Sequence, residues 1–125
     1  MTGLLVDTHV VLWHLRDDTR LGPRPSAALE SGVDVFVSAA SFWEIAIKSA
    51  RGKLDVPDDL PDAIERAGFA LLDVTPKHVW AVRALPPHHG DPFDRLLVAQ
   101  AREEGLTLLS SDSAFAAYDV PTVWD

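Results

Sequence analysis

The chain has 125 residues, no cysteine and a formal net charge of −8, with 47% hydrophobic and 24% charged residues. Length and composition predict one domain, residues 1–125, with one sizeable core; they exclude disorder, disulfides and thiolate metal sites, and no apolar run nears the roughly 20 residues of a membrane helix. Nineteen Asp and Glu against eleven Lys and Arg speak against broad neutralisation of a nucleic-acid backbone, yet leave room for an enzyme whose acids hold divalent cations.

The opening M-T-G-L-L-V-D-T-H has no basic n-region and meets an acid early, so it does not read as a signal peptide, and a cytoplasmic protein is expected. Gly3 to Val6 is a short apolar run suited to a buried strand, and Asp7-Thr8 caps the helix that starts near His9. Pro23 and Pro25 open a second helix to about Glu30, and Val33 to Val37 alternates as a strand. Ser38 caps a helix through Trp43 and Ile47 to about Ala50, where Arg51-Gly52-Lys53 stops it. Pro57 to Pro61 introduces a helix to about Ala67, Phe69 to Val74 reads as a third strand, and Thr75-Pro76 caps a helix with Val79, Trp80 and Val82. Pro86 to Gly90 is a loop. Asp91 caps a helix whose first residue is Pro92 and which ends near Gly105. Leu106 to Leu109 is a fourth strand; a short helix from Ala114 to about Tyr118 and a last strand near Thr122 to Trp124 follow. Apolar strands alternating with helices predict an α/β domain around a central parallel sheet of four to five short strands. Trp13, Trp43, Trp80 and Trp124 read as packing residues.

Four carboxylates fall where such a sheet places ligands, outside the carboxyl ends of its strands. Asp7 ends the first strand, Asp112 follows the fourth, Asp94 lies in the first turn of its helix, and Glu44 lies deeper but reaches farther. Each has an ordinary structural explanation as well. Asp7, Asp91 and Asp112 suit helix caps, Asp94 suits the helix dipole, and Glu44 suits an ion pair with Lys48 or a capping box with Ser41. Gathered on one edge, however, like charges repel unless a cation or shared proton offsets them, and an all-oxygen set suits Mg²⁺ or Mn²⁺. His9 and His89 flank acids as D-x-H and H-x-D but read more readily as outer or surface groups, and His14 and His78 as ordinary helix residues. No nucleophile elbow, phosphate loop or dinucleotide fingerprint is present.

The blocks L-L-V-D-T-H-V-V-L-W, S-A-A-S-F-W-E-I-A-I-K, D-P-F-D-R-L-L-V-A-Q-A and L-T-L-L-S-S-D, in this order, resemble the PIN-domain family, specifically the VapC-type toxins of bacterial toxin–antitoxin pairs. The resemblance runs almost end to end. It implies a PIN-like three-layer fold, with Asp7, Glu44, Asp94 and Asp112 as catalytic acids around one or two Mg²⁺ or Mn²⁺ ions. Asp91 would serve as cap and outer-shell ligand, and Ser110 matches a small hydroxyl position of the family. It further implies a metal-dependent endoribonuclease that forms a homodimer and is restrained by a small antitoxin. An ion so held would activate water against an RNA phosphodiester. Arg95, Lys48, Arg51 and Lys53 are candidates to meet phosphates, although each also suits a solvated helix face. The alternatives are an inactive PIN-like scaffold for protein or RNA, and a Mg²⁺-dependent phosphatase. The phosphatase reading wants a second acid where His9 stands.

Overall fold

A computed structural model of the protein describes residues 3–88 and 90–124. Its centre is a five-stranded parallel sheet: β1 (Leu4–Val6), β2 (Val35–Ser38), β3 (Ala70–Leu72), β4 (Thr107–Leu109) and β5 (Thr122–Val123), in the order β3-β2-β1-β4-β5. The helices are α1 (Thr8–Leu15), α2 (Pro23–Leu29), α3 (Ala39–Ala50), α4 (Leu60–Arg66), α5 (Pro76–Ala81) and α6 (Pro92–Glu104). Short 3-10 turns cover Val82–Ala84 and Ser113–Ala117.

β1 is the middle strand and is fully buried on both faces. Successive side chains of a strand point to opposite faces. Leu4 and Val6 accordingly join one core cluster, with Val10, Val37 and Ile45, while Leu5 joins the other, with Leu97, Leu108 and Phe115. β4 divides in the same way, Leu109 to the first cluster and Leu108 to the second. Two cores with a sheet between them make the three layers. Gly3 lets β1 enter this crowded centre: a Cβ there would stand 3.0 Å from the Asp34 carbonyl oxygen, to which Leu4 N–H donates.

The ends of α6 follow from local chemistry. The Asp91 carboxylate accepts from Phe93 N–H and Asp94 N–H, Pro92 takes the first position, and Gly105 closes the helix at φ 67°. Several boundaries shift from expectation. The third strand contracts to Ala70–Leu72 and Phe69 before it is a core residue; the second strand starts two residues later and ends one later, and α4 starts at Leu60. The helix expected at Ala114–Tyr118 is a 3-10 turn.

His78, expected to be an ordinary helix residue, is buried. Its Nδ1 accepts from Thr75 N–H at 3.1 Å, so the ring proton lies on Nε2 and is donated to Glu104 at 2.9 Å. Gln100 Nε2 stands 3.4 Å from the same Nδ1 and donates to the Asp73 carbonyl, while its Oε1 accepts from Ser38 Oγ at 2.6 Å. Ser38 in turn caps α3 by accepting from Ala40 N–H. One buried polar chain therefore ties the start of α3 to α6 and α5. Gln100→Leu leaves the Ser38 hydroxyl without its acceptor, and we expect a loss of about 1–3 kcal/mol, the cost of an unsatisfied buried polar group, on urea denaturation.

Candidate active site

Asp7 follows β1 and occupies the N-cap position of α1, yet its side chain makes no capping hydrogen bond. Its Oδ2 accepts instead from Ser110 Oγ, 2.8 Å away at the end of β4, and the Ser110 oxygen accepts from Asp112 N–H at 3.0 Å. Both Asp7 and Ser110 are buried. Burial pushes the Asp7 carboxyl above its ordinary range; the Ser110 bond and the nearby His9 oppose that shift, and Glu44 adds to it. Ionising Asp7 therefore works against burial, and its side chain does not serve as the cap of α1.

Glu44 is buried in the middle of α3 and receives a bond of 2.8 Å from Lys48 Nζ one turn on. The bond to Glu44 raises the Lys48 ammonium above its ordinary value, and the charges of Asp91 and Asp94 raise it further. Lys48 therefore stands in the combined field of three acids from α3 and the start of α6. Asp94 lies in the first turn of α6, half-buried, its backbone N–H held by Asp91. Asp112 is exposed and accepts from Ala114 N–H as the cap of the last 3-10 turn.

Ser110 and the fields acting on Asp7 and Lys48 link all four predicted acids, each at the carboxyl edge of the sheet or in a helix beside it. Among the described residues no three Asp, Glu or His side chains already form a closed metal cage. The donor chemistry nevertheless fits a hard cation: oxygen-only and like-charged, with Asp7 and Glu44 buried and the Lys48 ammonium paired to Glu44.

The candidate phosphate-binding cations fare differently. Arg95 turns inward, donating to the Pro86, Val82 and Leu85 carbonyls and to Tyr118 Oη, so its guanidinium pins the loop before Asp91. Those bonds engage the guanidinium expected to meet phosphate. Lys48 is bonded to Glu44, the ion pair that its spacing allowed, while Arg51 and Lys53 are exposed at the end of α3. Ser110 contacts Asp7 from a buried position. Asp91 is the helix cap, and His9 is exposed beside Asp7; His89 lies outside the described residues. Thr8 and Ser41, expected only in a helix cap and in a capping box with Glu44, are two buried hydroxyls whose bond of 2.9 Å joins the first turns of α1 and α3. Nothing in their spacing pointed to a bond between them, 33 residues apart.

The profile of the PIN domain family matches residues 4–121. Ribonuclease VapC22 of Mycobacterium tuberculosis is 32% identical over 130 aligned residues, spanning 99% of this chain and 100% of its own. Among solved structures, VapBC2 from Rickettsia felis bound to a DNA fragment from its promoter aligns with a TM-score of 0.73 at 13% identity, covering 98% of this chain and 99% of the other. A toxin–antitoxin complex from Klebsiella pneumoniae aligns at 0.65 and 18% identity, over 97% and 96% of the two chains. At those identities the structural likeness speaks for the fold.

The folded protein holds the Asp7 proton more tightly than the unfolded chain, whose carboxyl titrates near 3.8, so ionised Asp7 subtracts stability at neutral pH. In chelator at pH 7 we expect Asp7→Asn to unfold at a higher temperature than the parent. The gap should close as the pH falls through the raised value toward 3.8. Calorimetry across that range checks both the sign and the window.

Proposed function

Since the chain belongs to the PIN-domain family, we propose that it is a divalent-metal-dependent endoribonuclease, the toxin of a toxin–antitoxin pair. One observation carries the proposal: a buried carboxylate at the end of the central strand, its side chain not used as a cap, within the electrostatic reach of a second buried acid. The name of the 32%-identical relative supports RNA as the substrate class, and the toxin–antitoxin assembly among the fold neighbours supports an antitoxin as partner. No described helix is long and apolar enough to cross a membrane.

Asp7, Glu44, Asp94 and Asp112 would hold one or two Mg²⁺ or Mn²⁺ ions, with Asp91 behind Asp94. When bound, such an ion lowers the pKa of water for attack on the phosphodiester and offsets charge on the leaving oxygen. The rest of the work belongs to the chain. Ser110 donates to Oδ2 of Asp7 and so fixes the plane of that carboxylate. Lys48 holds Glu44 by its Oε2 and so fixes the position of the deeper acid. The Asp91 cap starts α6 so that Asp94 falls in the first turn, where unpaired N–H groups favour a negative charge. Burial of Asp7, Glu44 and Ser110 keeps bulk water from competing for these contacts.

The pairing of Glu44 with Lys48 also suits an inactive scaffold, in which the ion pair is permanent. Titration with Mn²⁺ separates the two readings, because an enzyme must lose activity in proportion to metal binding when Asp94 becomes Asn. The proposed homodimer has a candidate face. Trp43 on α3 is 61% exposed and Trp80 on α5 is 69% exposed, with Val79 at 54% beside it. Large apolar side chains gathered outside the core mark an association surface more often than a monomer's exterior.

Purified protein freed of its partner should cleave single-stranded RNA with Mg²⁺ or Mn²⁺ and stop in chelator. Asp7→Asn and Asp94→Asn should each lower kcat by about 100-fold or more, as expected when several kcal/mol of ion-borne charge stabilisation are lost. Undiminished cleavage by either variant, or cleavage by the parent without metal, would sink the mechanism. Light scattering should give twice the chain mass for the parent and the single mass for Trp80→Glu.

A further inference from the structure

The cations nearest the acids are already engaged by other groups of the chain. Lys48 is bonded to Glu44, Arg95 to three carbonyls and Tyr118, and the chain as a whole carries a charge of −8. Phosphate neutralisation is therefore a poor account of how an RNA strand would be held here. What stands beside Asp7 is aromatic. His9 is exposed in the first turn of α1, two residues after Asp7 and close enough for its charge to act on that carboxyl. One turn further, the Trp13 ring centroid lies 6.2 Å from that of His9, and the Trp124 centroid lies 6.0 Å from Trp13. The Arg20 guanidinium sits 5.0 Å from the Trp13 centroid, steadied by two bonds to the Asp18 carboxylate.

Trp124 directly follows β5, and every strand pair of the sheet is parallel, so it emerges on the same edge as Asp7 and Ser110. β4 alone separates β5 from β1, which puts the two strand ends about 10 Å apart at the usual strand spacing. The aromatic series thus starts at the acids and runs outward along the edge. Core packing accounts for the inner sides of Trp13 and Trp124, which are half-buried against the first cluster. It does not account for an exposed imidazole at the head of the series, or for an exposed arginine stacked on its middle ring.

We propose that His9, Trp13 and Trp124, flanked by Arg20, form a stacking platform for unpaired nucleobases of the RNA strand next to the bond presented to Asp7. Stacking on aromatic faces binds single strands without regard to sequence and needs no excess of positive charge, which suits an acidic protein. The placement of the cleaved bond rests on the ribonuclease reading; the platform itself is read by binding alone.

The experiment is fluorescence anisotropy with a labelled single-stranded RNA oligomer, in chelator and in the Asp7→Asn background, so that binding is measured whether or not the parent cleaves. His9→Ala and Trp124→Ala should each weaken binding by about 5- to 150-fold, the range of one base–aromatic stack. His9→Phe should restore it. The same substitutions should leave affinity unchanged for an oligomer whose bases are removed, because only the backbone remains. Since His9 is exposed, its replacement tests the surface even if Trp124→Ala disturbs folding. Unchanged affinity in His9→Ala, an equal loss on the abasic strand, or no binding of RNA by the Asp7→Asn protein would overturn the platform. Base-dependent binding with no cleavage by the parent would instead keep the platform and remove the ribonuclease reading.

Discussion

A carboxylate pressed into a protein interior loses most of its hydration, and in this chain that loss falls on Asp7. Its position is set by the sheet: β1 is the central strand, buried on both faces, and the residue after it keeps only 6% of its surface exposed. Most of the surrounding structure compensates. Ser110 donates from the end of the neighbouring strand, while Lys48 balances Glu44, the second buried acid. Thr8 and Ser41 lock the two helices that carry these acids against each other. The compensation is incomplete, since burial still outweighs the hydrogen bond that opposes it. An acid so buried works against the stability of the fold, which fits its proposed place in the site.

The central strands were legible in the sequence because a parallel strand buried on both faces is a short unbroken apolar run, as Leu4 to Val6 and Leu106 to Leu109 are. Both ends of α6 were legible because Asp91, Pro92 and Gly105 act on their own backbone neighbours. The rest was hidden wherever a near partner and a distant one compete. Asp7 stands where a cap belongs, and only the structure reveals that a hydroxyl 103 residues away holds it instead. Arg95 follows Asp94 and looked free to meet a phosphate, yet its fork finds three carbonyls of the preceding segment. His78 has an ordinary helical context, and nothing in it announces Gln100 or Glu104 as partners.

The tryptophans make the same point about faces. All four suited packing, and spacing along a helix says which residues share a face but not whether the chain itself covers that face. Trp13 and Trp124 are covered on one side by the core, whereas Trp43 and Trp80 stand largely in solvent. Trp43 also meets Phe93 edge to face at 5.0 Å, which couples the segment before Glu44 to the segment before Asp94. Acids from separate parts of the chain are thus joined by apolar contact as well as by charge.

The bond between Ser110 and Asp7 also has a consequence in time. A ribosome makes the chain from its amino end, so Asp7 is finished early, whereas β4, Ser110 and Asp112 come within the last fifth of the sequence. Until β4 inserts beside β1, the central strand lacks one of its two neighbours and Asp7 lacks the hydroxyl that holds it. Pairings between segments so far apart form late, after shorter-range structure. In the proposed ribonuclease, a partly synthesised chain would therefore hold Asp7 without the Ser110 hydroxyl or the Asp112 carboxylate beside it.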